Sequence, residues 1–525
     1  MLYNRSSTLN DLASNTKVNL SKTVLVSLSG KTHLAWQPVV EETGQEWHDA
    51  HNDNSIRYLS YPLYHNDAQL NSFLHDIKIK VERHVRILRQ RRLSIRGLGM
   101  VANSLLLSKV WHLLRVLAAP VTWLKEIKKI IRDYIITFWP KAAYSDLCLK
   151  RKYGGIGLVD IEDQNQALHL IYIQRILRPP DTTDFLSPWI KHCFLLYTGH
   201  SSLLPLFLYP AHYRRQLRIL PGLWQLSTLL TRLPPLTPDD SWPVNWYLEL
   251  PLVCLISAPH GPTSYCDPKK LNRKYLFSDI ARWLQTYKIA SCDDTPDQES
   301  LKQLTYGLYP LMGQLSFFLP ESLRKKTCFC GPEILALVDN PSVTPLSPSF
   351  LHWTVLAGPK QVPNAVISLS LGSLRCHWHR DMSLINQRFH PPLAVPDRLA
   401  LRPFFWRQFW SLDLPSSAFT PWWRLLQSRI GYRSFLNRIN PIRYPTPLCG
   451  LCGKYEDLYH FVVGCESKSC FWLDIVDLFS LHTTFPTDLS IWAGLVAMCS
   501  LTSVPLGSPV LVVLGATFNT LWKYH

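Results

Sequence analysis

Cys449-Gly-Leu-Cys452, then His460 after seven intervening residues and Cys465 after four more, supply three thiols and an imidazole at metal-ligand spacing. Two cysteines close in sequence make one half of a tetrahedral zinc site, and a histidine and a third cysteine from the next element complete it. Four protein ligands leave no open position for a reacting water, so the chemistry expected is structural: one zinc that staples a small domain. The competing explanation is coincidence among 13 cysteines and 19 histidines, and Cys470 stands near as a spare or competing ligand.

A second constellation is electrostatic. Lys78, Lys80, Arg83, Arg86, Arg89, Arg91, Arg92 and Arg96 crowd one stretch against a single acid, Glu82. In the same stretch Leu70, Phe73, Ile77, Val81, Val85 and Leu88 recur every three or four residues, the period of one helix face. One face then packs while the other presents cations, an arrangement that can run along the phosphates of RNA or DNA. A solvated surface without a ligand, a calmodulin-target helix or a membrane-surface helix would use the same pattern. The chain as a whole leans the same way: 55 basic residues against 38 acidic give a net charge of +17, which suits a polyanionic partner.

The elements that must position these groups are mainly helical. Residues 66–140 predict a bundle of three helices. The basic helix comes first, and a second follows Gly97 and Gly99 through Val101, Leu105, Lys109 and Leu113. The third follows Pro120 through Val121, Leu124, Ile127, Ile131, Tyr134 and Phe138. Lys152-Tyr-Gly-Gly-Ile-Gly-Leu158 is a packing turn; it lacks the Gly-x-x-x-x-Gly-Lys-Ser/Thr order of a phosphate loop. Asp160 is placed to cap the helix after it. From 178 to 400 proline clusters break every long pattern, predicting short helices joined by loops, or a poorly packed linker.

Aromatic residues then become dense, from Phe404 to Trp423, just before the metal ligands. After Asp488 the chain has no charged residue until Lys523, but Pro505 and Pro509 divide the stretch into pieces too short to span a bilayer, so two buried helices are expected. The first residues hold no apolar secretory segment, and the cysteines outside the cluster are scattered, so an intracellular location, nucleus or cytoplasm, is expected.

In this order the pieces resemble the C-terminal half of a LINE-type (non-LTR) retrotransposon reverse transcriptase. Ala13 to Thr23, with Asn19 and Lys22, is similar to the segment that follows the catalytic aspartates there. Ile56-Arg-Tyr58-Leu59-Ser60-Tyr61-Pro62-Leu63 is similar to the next palm motif, with Ser60 where the family usually has glycine. Leu93 to Trp111, through Gly97, Asn103, Ser104 and Lys109, resembles the thumb helices, and Gly154-Gly155-Ile156-Gly157-Leu158 the glycine-rich landmark after them. Phe405-Trp406, Trp410, Trp422-Trp423-Arg424-Leu425-Leu426, Arg429 and Leu436, with the cysteine and histidine ligands and Glu456, resemble the family's zinc-binding domain.

The resemblance implies a palm remnant over 1–65, a helical thumb-like domain over 66–178, a connector over 179–400, a zinc-binding domain over 401–480 and an apolar helical tail over 481–525. The implied fold is mainly α, with the trailing edge of an α/β palm, and the implied activity that of an RNA-directed DNA polymerase. Polymerisation needs paired carboxylates on two metals. Asp239-Asp240 and Asp293-Asp294 lack the aromatic residue two places earlier that the family's hairpin carries, and the resemblance would place that hairpin before residue 11. Lys22 would then be a relic of palm architecture. The expectation is therefore a fragment that binds nucleic acid without polymerising it, takes no small-molecule substrate, and would regain activity only if a palm is encoded upstream. A zinc-stabilised module that binds a protein or a membrane surface is the alternative.

Overall fold

A computed structural model describes residues 23–31, 34–178, 186–199, 203–208, 210–233, 236, 353–357, 362–378 and 403–524. Lys22 with the segment before it, the two Asp-Asp pairs and most of the connector lie outside these residues. The described chain is mainly helical, with three two-stranded sheets. It divides into two compact units, residues 1–161 together with 390–525, and residues 162–389.

In the first unit the strand Val24–Val26 pairs in parallel with Glu46–His48, and Ile56–Tyr58 forms an antiparallel hairpin with Tyr61–Leu63. Only Leu59 and Ser60 separate the hairpin strands, and both have left-handed backbones, with φ of 48° and 71°. That is the geometry two-residue hairpins favour because its twist matches the strands. It explains why glycine suits position 60, and it strains the leucine and serine found here.

The basic helix runs Asp67–Arg89, opened by Asn66, whose side chain accepts from the Gln69 N–H. Leu70, Phe73, Val81, Val85 and Leu88 are buried along it, as their spacing predicts. The second helix departs from expectation. It starts at Ile95, capped by the Ser94 hydroxyl, so Gly97 and Gly99 lie inside it. Gly99 is needed there because a Cβ would stand 3.0 Å from Cδ1 of Ile156.

A π-helical stretch, Ala102–Leu107, then interrupts the helix before it resumes at Ser108–Leu114. The wider turn shifts the buried face to Leu106, Leu107, Val110, Leu113 and Leu114, leaving Leu105 exposed. It also aims Asn103 outward from the ladder: its Nδ2 donates to the Gly157 carbonyl at 2.9 Å, and its Oδ1 accepts from the Val159 N–H at 3.0 Å. The third helix, Val121–Ile135, is tied to the first by the Trp123 indole N–H, which donates to the Leu74 carbonyl at 2.9 Å. It ends before Phe138, whose ring lies under the Arg424 guanidinium at 4.1 Å.

The C-terminal segment of this unit packs on the bundle. Pro403–Ser411 and Phe419–Leu426 carry the aromatic cluster, Trp422 and Trp423 having no exposed surface. Trp423 donates from Nε1 to the Gly154 carbonyl at 2.8 Å, and Trp410 to the Arg151 carbonyl at 3.1 Å. Gly154 has φ of +87°, and a Cβ on it would lie 2.5 Å from the Trp406 ring. The glycine-rich segment is thus a packing turn under tryptophans. The two expected tail helices form as Asp488–Ala497 and Ser508–Tyr524. They close over Trp422, whose indole donates to the Leu495 carbonyl at 2.8 Å and whose ring leaves no room for a Cβ at Gly515. Among the described residues no helix is long and apolar enough to cross a membrane.

The second unit contains the short helices its prolines predict, including Leu170–Leu177, Leu186–Thr198 and Pro221–Leu230, and a hairpin of Thr354–Ala357 with Val362–Ala365. Its described part is packed: Phe194 meets Tyr213 edge to face at 5.3 Å and Phe207 meets Trp353 at 5.9 Å. Gln174 Nε2 donates to the carbonyls of Val366 and Leu369, tying a helix to the turn after the hairpin.

Candidate metal centre and basic face

Cys449 and Cys452 stand on a tight turn. The Cys449 N–H donates to the Lys454 carbonyl at 2.7 Å, the Gly453 N–H donates back to the Cys449 carbonyl at 2.9 Å, and Gly453 takes φ of 71°. The Leu451 N–H points at the Cys449 sulfur at 3.5 Å. His460 opens a short π-helical turn, its backbone N–H held by Asp457 Oδ1 at 2.7 Å. Cys465 is the N-cap of the helix Glu466–Leu478, which sets its sulfur at the positive end of the helix dipole.

The four candidate ligand atoms lie within 4.8 Å of one another. Cys449 Sγ is 4.0 Å from Cys465 Sγ, and Cys452 Sγ is 3.1 Å from His460 Nε2. With metal–sulfur bonds of about 2.3 Å, the edge between two sulfurs of a tetrahedron is roughly 3.8 Å. The residues therefore fit a single tetrahedral ion, and all four sequence-predicted ligands converge. Cys470 is exposed on the following helix and does not join them.

The surroundings act in opposite directions on two of the thiols. The backbone N–H of Lys454 holds the Cys452 thiol below its usual range. At Cys465 burial acts first and raises the thiol, against the opposing N–H groups of Lys468 and Ser467. Glu456 is buried, and its Oε1 accepts from the Arg433 N–H at 2.7 Å.

Sequence spacing gave no hint of Lys468, which is only 4% exposed. Its Nζ donates to the Phe461 carbonyl and lies 4.5 Å above the Phe461 ring. Burial lowers its pKa, opposed by Glu456 and by the thiolates of Cys449, Cys465 and Cys452. A zinc bound there by three thiolates and a neutral imidazole would carry one net negative charge, which the buried Lys468 would offset.

The basic residues divide. Lys80, Arg83, Arg86, Arg91 and Arg92 are exposed, and among the described residues none makes an ion pair. Burial, with the charges of Lys109 and Arg83, holds the nearby His84 imidazole below its usual value. Lys78 is instead paired with Glu126 at 2.8 Å. Arg89 donates to the Asp133 carbonyl at 3.0 Å, and Arg96 lies 5.6 Å over the Phe419 ring.

The tryptophans beside the metal ligands are a different matter. Trp406, Trp410, Trp422 and Trp423 are buried around Phe409, with ring centroids 4.8 to 5.7 Å apart where they meet it. They form an aromatic core and present no face on which a base could stack. Arg424 and Arg429, quoted in the same motif, are also internal. Arg429 pairs with buried Asp146 at 3.1 Å, and Arg424 lies between the Phe138 and Trp522 rings, where burial lowers its pKa to about 10.

No protein-family model matches this chain, and no curated protein matches it.

Proposed function

We propose that this chain is a zinc-stapled nucleic-acid-binding segment of the non-LTR reverse transcriptase type, with a thumb-like helical bundle and a C-terminal zinc-binding domain. The observation that carries the reading is the exposed set Lys80, Arg83 and Arg86, on a helix whose other face is buried, with Arg91 and Arg92 on the turn just past its end, none of them with an acidic partner among the described residues. A surface evolved only for solubility intersperses both signs of charge. A polyanion backbone is the ligand that such a row satisfies.

Zinc is the metal proposed because three thiolates and an imidazole at tetrahedral spacing suit it best, and four protein ligands fill its tetrahedron and leave no open position. Its role is to hold the turn at Cys449–Cys452 against the start of the Glu466–Leu478 helix. The chain has no Phe/Tyr-x-Asp-Asp hairpin, so the activity proposed for it is binding.

The test is fluorescence anisotropy of the full chain with single-stranded RNA, single-stranded DNA and duplex DNA, compared with a variant in which the five exposed cations become glutamine. The reading expects the variant to lose at least about tenfold in affinity for all three at low salt. Equal affinity in a folded variant would favour the alternative of a protein-interaction module.

A further inference from the structure

A second basic surface is formed by the chain between Phe419–Leu426 and Cys449. No acid stands between Asp413 and Glu456 in the sequence. The short helix Arg433–Ile439 in this stretch buries none of its residues. Its one aromatic residue, Phe435, and the N-cap Tyr432 instead make a row with Trp139, which is 45% exposed. Trp139 and Phe435 have ring centroids 5.4 Å apart and an interplanar angle of 32°, and Tyr432 continues the row at 5.6 Å from Phe435. Arg438 lies 5.6 Å from the Phe435 ring centroid, and Arg443 5.7 Å from that of Tyr444.

A hydrophobic core would bury these rings fully, as it does Trp422 and Trp423, whereas Trp139 is exposed and Tyr432 and Phe435 are only half-buried. An exposed indole continued by two half-buried rings, beside exposed guanidinium groups, suits a ligand with flat apolar faces and a negative backbone. We infer that Trp139, Tyr432 and Phe435, with Arg438 and Arg443, form a stacking ridge for unpaired bases, so that this face binds single-stranded nucleic acid. Duplex bases are stacked on one another and offer no face to such a row, whereas every unpaired base can use it whatever its sequence. The inference rests on the nucleic-acid reading above and adds to it a contact that discriminates strand form, which a row of cations alone does not.

The experiment compares the full-length wild type with Trp139→Ala, Trp139→Phe and Arg438→Gln, using a single-stranded oligonucleotide and a duplex of equal length. Metal content and circular dichroism serve as folding controls. Trp139→Ala is expected to weaken single-strand binding about tenfold, to leave duplex binding unchanged, and to leave the salt slope unchanged because no charge is removed. Trp139→Phe should restore most of the affinity. Arg438→Gln should make the single-strand salt slope shallower by about 0.7.

Unaltered single-strand binding by folded Trp139→Ala, or equal losses on both strand forms, would overturn the ridge while leaving the basic-helix reading intact. A wild type that binds neither form would overturn both.

Discussion

Gly154 carries the closest joint between the glycine-rich turn and the tryptophan helices, and replacing it with alanine should be among the most damaging single-methyl changes in the first unit. Three costs add. An L-residue at φ of +87° is strained by about 1–2 kcal/mol. The new Cβ would sit 2.5 Å from the Trp406 ring and 2.7 Å from Gln427 Nε2, an overpacking that costs about 1–3 kcal/mol. Moving the turn to relieve it would loosen the hydrogen bonds that the Gly154 carbonyl accepts from Trp423 at 2.8 Å and Gln427 at 2.9 Å, each about 1 kcal/mol.

The sum, about 4–7 kcal/mol, is a large share of the about 5–15 kcal/mol that holds a typical domain folded. Gly157 supplies the control. It also has a left-handed backbone, φ of +73°, but a Cβ there would find its nearest neighbour at 4.0 Å. Gly157→Ala should therefore cost only the backbone strain, about 1–2 kcal/mol. Urea unfolding followed by tryptophan fluorescence measures both. Equal losses for the two variants would refute the close approach of Trp406 and with it the docking of the C-terminal segment on this turn.

Other outcomes follow from the same geometry. The buried imidazole of His169 is held at a pKa of about 4 by burial, against an unfolded value near 6.5. A lowered histidine pKa means that the unfolded chain binds the extra proton. Stability is therefore full above pH about 6.5 and falls by about 3 kcal/mol as pH drops to about 4, a dependence that urea midpoints across pH should show and that His169→Gln should flatten. Replacing Leu59 and Ser60 with Asn-Gly should stabilise the hairpin by about 1–2 kcal/mol, seen as a higher denaturation midpoint, because both positions have left-handed backbones. Lys468→Met should weaken zinc retention about 10- to 100-fold in competition with a chromogenic chelator, whereas Lys468→Arg should lose less; equal affinities would remove Lys468 as the counter-charge of the thiolates.

What the sequence made legible was whatever depended on local period or spacing. The metal ligands converge because Cys449 to Cys465 is a short path, and Leu70 to Leu88 line one face because a single helix repeats itself. What it hid depended on distant partners. Gly97 and Gly99 read as a break, yet Gly99 is helical because Ile156 leaves it no room for a side chain. Phe138 kept the apolar period of the third helix but lies beyond its end, under Arg424, far away in sequence.

Trp422 and Trp423 have the composition of a stacking platform, and only the tail helices that close over Trp422, and Gly154, which accepts from Trp423, make them core. Lys468 carried no signal, since a lysine three residues into a helix is ordinarily solvated. The row of Trp139 with Tyr432 and Phe435 likewise joins residues far apart in sequence.

The most direct measurement is the salt dependence of single-strand binding by the full chain, wild type against the variant lacking the five exposed cations, Lys80, Arg83 and Arg86 on the basic helix and Arg91 and Arg92 just after it. Neutralised phosphates release counterions, so five contacts contribute a slope of about −3.5 in log K against log salt for a single strand. The wild type is predicted to be steeper than the variant by close to that amount. Slopes that are equal, or a wild-type affinity indifferent to salt, would contradict nucleic-acid binding by this basic segment and leave the fold, with its candidate metal centre, as a platform for some other partner.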